Sequence, residues 1–125
     1  MKAHVILYVR DQPVSSVFYR HILNQSPALD VEGMTEFVLN DGLVLGLMPE
    51  SGIKRLLGDA LHDPALGNGI PRAELYLLVE EPQIYYQRAM DAGAKPLSPL
   101  KLREWGDKVA YCEDLDGHVL AFAKR

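Results

Sequence analysis

The sequence predicts an α+β chain made of two tandem copies of one β-α-β-β-β module. Two observations carry this. Asp41-Gly42-Leu43-Val44-Leu45-Gly46-Leu47 is matched by Asp116-Gly117-His118-Val119-Leu120-Ala121-Phe122, with Asp, Gly, Val and Leu identical. His4 to Val9 matches Glu74 to Val79, and each run is followed by a proline and a helix-spaced segment carrying Arg20 or Arg88. Self-similarity of this kind marks a repeated supersecondary unit.

Taken in order, residues 4 to 10 are rich in β-branched and aromatic types and stop at Asp11-Gln12-Pro13, which predicts a first strand. Pro13 suits a first helical turn, and Val14, Val17, Phe18, His21 and Ile22 recur at helical spacing, so a helix is expected over 13–23 with His21 partly buried. Short strands follow at Ala28 to Glu32, Thr35 to Asn40 and Leu43 to Met48. The last two are joined by Asn40-Asp41-Gly42, residues that accept the positive φ of tight hairpins. Residues 49–72 form a connector with a short helix at Ile53 to Leu61. The pattern then restarts with a strand at Glu74 to Val79, a helix opened by Pro82 and ended at Ala92-Gly93, and a proline-interrupted edge strand at Ala94 to Leu102. A hairpin closes it, Lys108 to Glu113 with His118 to Ala123, and His118 is expected on the strand surface. The chain thus reads as one domain, residues 1–125, with module one over 1–48 and module two over 73–125.

At 125 residues, 48% hydrophobic and 24% charged, the chain is long enough to bury a core without staples. Thirteen basic residues against 17 acidic ones give a net charge of −4, and the basic residues are scattered, which argues against a nucleic-acid partner. Apolar runs are strand-length, so no membrane partner is expected, and the start carries no signal-peptide pattern, so a cytoplasmic location is the default. The single cysteine, Cys112, suits a reducing compartment and reads as a core residue. No phosphate-binding glycine loop, Cys-x-x-Cys pair or nucleophile elbow is present.

The opening His4-Val5-Ile6-Leu7-Tyr8-Val9, the Phe18-Tyr19-Arg20 segment, Trp105-Gly106 and the closing Asp114-Leu115-Asp116-Gly117-His118-Val119-Leu120 resemble the vicinal oxygen chelate superfamily, which holds glyoxalase I, extradiol dioxygenases and the fosfomycin and bleomycin resistance proteins. The resemblance covers essentially the whole chain. It implies that each module curls into half of an open, incomplete β-barrel around a pocket, often within a homodimer, and that a divalent metal such as zinc, nickel or manganese is bound from matched first and last strands. The matching first-strand residues are His4 and Glu74, the only metal candidates; the last-strand positions, where metal-dependent relatives carry Glu, fall on Gly46 and Ala121. Two donors are fewer than the three that usually fix a catalytic ion. Read without a metal, His4 and Glu74 are a polar pair that orients a ligand.

Strand alternation gives the lining. With His4 inward, Ile6 and Tyr8 follow; with Glu74 inward, Tyr76 and Leu78 do; Val44, Gly46, Met48 and Ala121 join from the last strands. Trp105, beside a glycine, is a candidate for stacking on a flat ligand or for packing. This composition fits a small-molecule site. The first expectation is therefore a metal-independent binding protein with no cofactor and no catalytic residue, holding an apolar or aromatic ligand such as an antibiotic. The alternative is a metal-dependent lyase, isomerase, thiol transferase or dioxygenase with an atypical ligand set. A regulatory module with a vestigial pocket is the third.

Overall fold

Parallel pairing of a first and a last strand around an antiparallel hairpin organises each half of the chain, which is described over residues 1–125 by a computed structural model. In the first half, β1 (Ala3–Val9), α1 (Gln12–Leu23), β2 (Leu29–Val31), β3 (Met34–Asn40) and β4 (Leu43–Pro49) build a sheet of order β1-β4-β3-β2. The crossover that parallel neighbours require is supplied by α1 and the β2-β3 hairpin. Asp11 caps α1 by accepting from the Val14 N–H, proline follows in the first turn, and Asn24 ends the helix in the left-handed region at φ 52°.

One face of this sheet is the core: Leu7, Val9, Phe37, Leu45 and Leu47 are all buried, together with Phe18 and Tyr19 of α1. The helix meets the sheet through polar groups as well. The Gln12 side chain donates to Thr35 Oγ1 (2.9 Å) and Val31 O (2.8 Å) and accepts from the Gly33 N–H (2.9 Å), while Ser16 Oγ lies 2.8 Å from Thr35 Oγ1. This corrects the expected helix stripe. Gln12, Ser15, Phe18, Tyr19 and Ile22 are the buried positions, whereas Val14, Val17 and His21 are exposed, Val17 by 70%. The β3-β4 hairpin forms where expected, but without positive φ at Asn40, Asp41 or Gly42. Asn40 Oδ1 instead accepts from the Gly42 N–H at 2.9 Å, an Asx-type closure next to a register shift in β3.

The connector holds α2 (Glu50–Leu57), three residues earlier at its start than expected, then single 3-10 turns at Gly58–Ala60 and Pro64–Gly67. Ile53 is the apolar residue that α2 buries, and its neighbours are β4 and β1. In the second half, β5 (Glu74–Leu78), α3 (Pro82–Asp91), β6 (Lys95–Leu102), β7 (Lys108–Glu113) and β8 (Val119–Lys124) repeat the first arrangement in the order β5-β8-β7-β6. The core face carries Leu75, Leu120, Phe122, Ala110 and Cys112, with Ala89 of α3 buried and the Tyr85 ring 5.8 Å from that of Phe122. Gly93, at φ 95°, closes α3 as the sequence predicts.

His118 is corrected as well. It precedes β8 and is 3% exposed, because its ring is part of a buried chain: Nδ1 lies 2.9 Å from Asp114 Oδ2 and Nε2 lies 3.1 Å from Arg72. Asp114 Oδ1 also accepts from the N–H groups of Asp116 and His118, shaping the turn. Arg72 reaches the carbonyls of Gly67 and Asp116, and the end of the connector comes so close that a Cβ on Gly117 (φ 92°) would sit 3.1 Å from the Gly69 backbone.

The chain divides into two compact units, residues 1–20 with 24–66 and residues 21–23 with 67–125, so the division falls inside the connector. Neither sheet closes on itself, and the architecture is α+β with the β-α-β-β-β order twice over.

Candidate functional site

In the first unit the register puts His4, Ile6 and Tyr8 of β1 on the face opposite the core, beside Val44, Gly46 and Met48 of β4, as alternation predicts. The same register adds Met34, Glu36 and Val38 of β3. Gly46 is the middle of the row Ile6, Gly46, Glu36. A Cβ there would stand 3.1 Å from both Ile6 Cγ1 and Met34 Sδ, so these side chains already lean over the glycine. His4 Nδ1 lies 3.3 Å from Glu36 Oε2, which pairs the imidazole with a carboxylate of its own sheet. Glu36 has no signal in the sequence: counting back from Asn40 opposite Leu43 pairs Phe37 with Gly46, and it is the register shift between Val38 and Asn40 that sets Glu36 there instead.

In the second unit the open face holds Glu74, Tyr76 and Leu78 of β5, Ala121 of β8 and Tyr111 of β7. Ala121 lies between the two tyrosines and is fully buried with Val109 and Ala123, both rings packing against this small-residue floor. Trp105 is 58% exposed and its Nε1–H donates to the Tyr76 hydroxyl (2.9 Å), which donates in turn to Asp107 Oδ2 at 2.6 Å. Burial first, and then the hydrogen bond to Asp107, push the Tyr76 pKa above its usual value. Burial and the Glu74 charge do the same to Tyr111. The Arg103 guanidinium lies 5.1 Å from the centre of the Tyr111 ring, held by the Val109 carbonyl and Ser98. Trp105 is therefore part of a polar-tipped aromatic cluster. Tyr111, Asp107 and Arg103 were not foreseen in that cluster, since they come from the inner strand and the loop before it.

A metal would need more than these faces offer. The first has one imidazole and one carboxylate within reach of each other, and no group of three or more His, Cys, Asp or Glu side chains converges anywhere in the chain. The resident donors do not fit the three-ligand arrangement that holds a catalytic ion. A cavity of about 700 Å³ lies elsewhere, at the start of α1 beside β2, lined by Gln12, Ser16 and Arg20 among others. Gln12 and Ser16 there are spent on Thr35 and the β2-β3 turn.

A duplicated β-α-β-β-β chain with an open face on each sheet is the class of protein that fold and faces define. The sequence profile of the Glyoxalase/Bleomycin resistance protein/Dioxygenase superfamily matches residues 3–122, and the chain belongs to that superfamily. Among solved structures it is similar to a glyoxalase-related enzyme from Fulvimarina pelagi, with 22% identity, TM-score 0.81 and coverage of 100% of this chain and 88% of that one. It is also similar to a glyoxalase/bleomycin resistance protein/dioxygenase from Nocardioides, at 17% identity and TM-score 0.78, covering 99% and 82%. A family enzyme from Burkholderia phytofirmans PsJN gives 14% identity and TM-score 0.77, with coverage of 97% and 95%. At these identities the likeness is one of fold. No curated protein matches the chain. No helix is long and apolar enough to cross a membrane.

Proposed function

We propose that the chain is a metal-independent small-molecule-binding protein whose ligand is apolar or aromatic, an antibiotic being one such compound. The observation that supports this best is the pair Gly46 and Ala121. They occupy matched places on β4 and β8, so the middle of each open face presents no donor atom where metal-dependent relatives are expected to carry a carboxylate. Around Gly46 stand Ile6, Met34 and Met48, and around Ala121 stand Tyr76 and Tyr111, surfaces that gain by covering an apolar body. Assembly as a homodimer belongs to the same reading, because β1 is an end strand with Val5 and Ile6 exposed, and such an edge needs cover.

Thermal unfolding and calorimetric titration against flat aromatic compounds, and separately against zinc, nickel and manganese, test the reading. Aromatic compounds should raise Tm in proportion to the logarithm of their concentration, while no ion survives dialysis at one per chain. Stoichiometric retention of an ion that is lost on His4→Ala would reverse the assignment in favour of a metal-dependent lyase, isomerase, thiol transferase or dioxygenase.

A further inference from the structure

We infer that His4 and Glu36 form a metal-free polar anchor on the open face of the first sheet, where His4 Nε2 accepts a hydrogen bond from a hydroxyl or N–H group on an otherwise apolar ligand. This rests on the binding reading above and names the chemistry of the ligand.

The two residues come from strands that do not touch. β1 and β3 flank β4, so the backbones of His4 and Glu36 are two strand spacings apart across the sheet, about 10 Å, and two residues apart along it. Their side chains meet above β4, beneath which Gly46 contributes nothing and Val44 only a short branch. A glycine at 46 thus removes a donor from the middle strand while a carboxylate one strand over takes up the imidazole. An ionised carboxylate only accepts, so with the ring neutral an oxygen 3.3 Å from Nδ1 favours the tautomer that carries its hydrogen there, and Nε2 is then an acceptor. Glu36 is the only partner of His4, and the imidazole is 47% exposed, so Nε2 is open to a ligand.

The surroundings decide what that ligand is. Ile6 is 41% exposed, Val38 is exposed, and Met34, Met48 and Tyr8 are half-buried on the same face. A flat apolar body laid on these side chains strips water from His4. If the body carries no donor, Nε2 is left covered and unsatisfied, and that penalty is the basis of selection. Glu36 is a positioning residue here, acting through the ring it orients.

The test uses 2-naphthol and 2-methoxynaphthalene, two compounds with the same rings that differ in the O–H. The wild-type protein should bind 2-naphthol about tenfold more tightly, the factor a single hydrogen bond contributes. His4→Phe should abolish that preference while retaining affinity for 2-methoxynaphthalene. In the ligand-free protein, ¹⁵N NMR should find the His4 hydrogen on Nδ1, and Glu36→Gln should mix the two tautomers without unfolding the chain. Equal wild-type affinities, a preference that survives His4→Phe, or a hydrogen on Nε2 in the free protein would each overturn the anchor and leave the binding reading standing. Failure of both naphthalenes and of the wider aromatic panel to bind would overturn the binding reading together with the anchor.

Discussion

Cys112 is fully buried on the core face of β7, and its thiol is pushed up to about 12, by burial first and then by the Asp114 and Glu113 charges. The folded chain therefore favours the protonated thiol over a wider range than the unfolded chain, whose cysteine ionises near 9.0. The stabilisation is complete below the unfolded value and is lost as pH climbs from there through the folded one. Tyr76 and Tyr111, also raised, add to the loss in the same direction. The urea midpoint should fall steeply between about pH 9 and 12, and Cys112→Ala should flatten that fall while lowering the midpoint at pH 7. A limb with the same slope in both proteins would show that the thiol is not responsible. Glu36 shows the limit of reading residues from sequence. His4, Gly46, Glu74 and Ala121 follow from matching the two halves, but Glu36 has no motif, and only the β3-β4 register brings it to His4.

Elements are held by polar contacts that hydrophobic periodicity does not see. In the Arg72, His118, Asp114 chain the carboxylate takes the Nδ1 hydrogen and leaves Nε2 to accept from Arg72, so one buried ring joins the end of the connector to the turn before β8. Truncation to His118→Ala takes the ring contact away from Asp114 Oδ2 and one anchor away from Arg72, a cost of about 1–3 kcal/mol. Hydrogen exchange should accelerate at Gly69 to Arg72 and in the 114–117 turn while α3 is unchanged; uniform acceleration would mean that the ring supports the whole core instead. Strand and helix existence was legible throughout, since β1, β5, α1 and α3 begin and end within a residue or two of expectation. The rotation of α1 was not. Val14 and Val17 share an apolar spacing with Phe18 and Ile22, yet Gln12 and Ser15 are the buried residues, and Gln12 is needed by Thr35 and the Gly33 turn.

For the whole molecule the proposed homodimer is the first property to check, and light scattering at micromolar concentration should give about twice the 14.0 kDa of one chain. A mass of one chain under those conditions removes assembly from the reading. Duplication accounts for the rest of the design: rows of matched residues, Ile6, Gly46 and Glu36 in one sheet and Tyr76, Ala121 and Tyr111 in the other, have taken different chemistry on the same frame. The repeated Asp-Gly turn has diverged in a less visible way. Gly117 is left-handed and lies against the Gly69 backbone, while Gly42 needs no left-handed geometry and a Cβ there would meet nothing nearer than 3.7 Å. Two glycines that look equivalent in the sequence are thus held by unequal structural demands. An alanine should pass unnoticed in the first turn and lower Tm in the second, so the likeness of the two turns is one of letters alone.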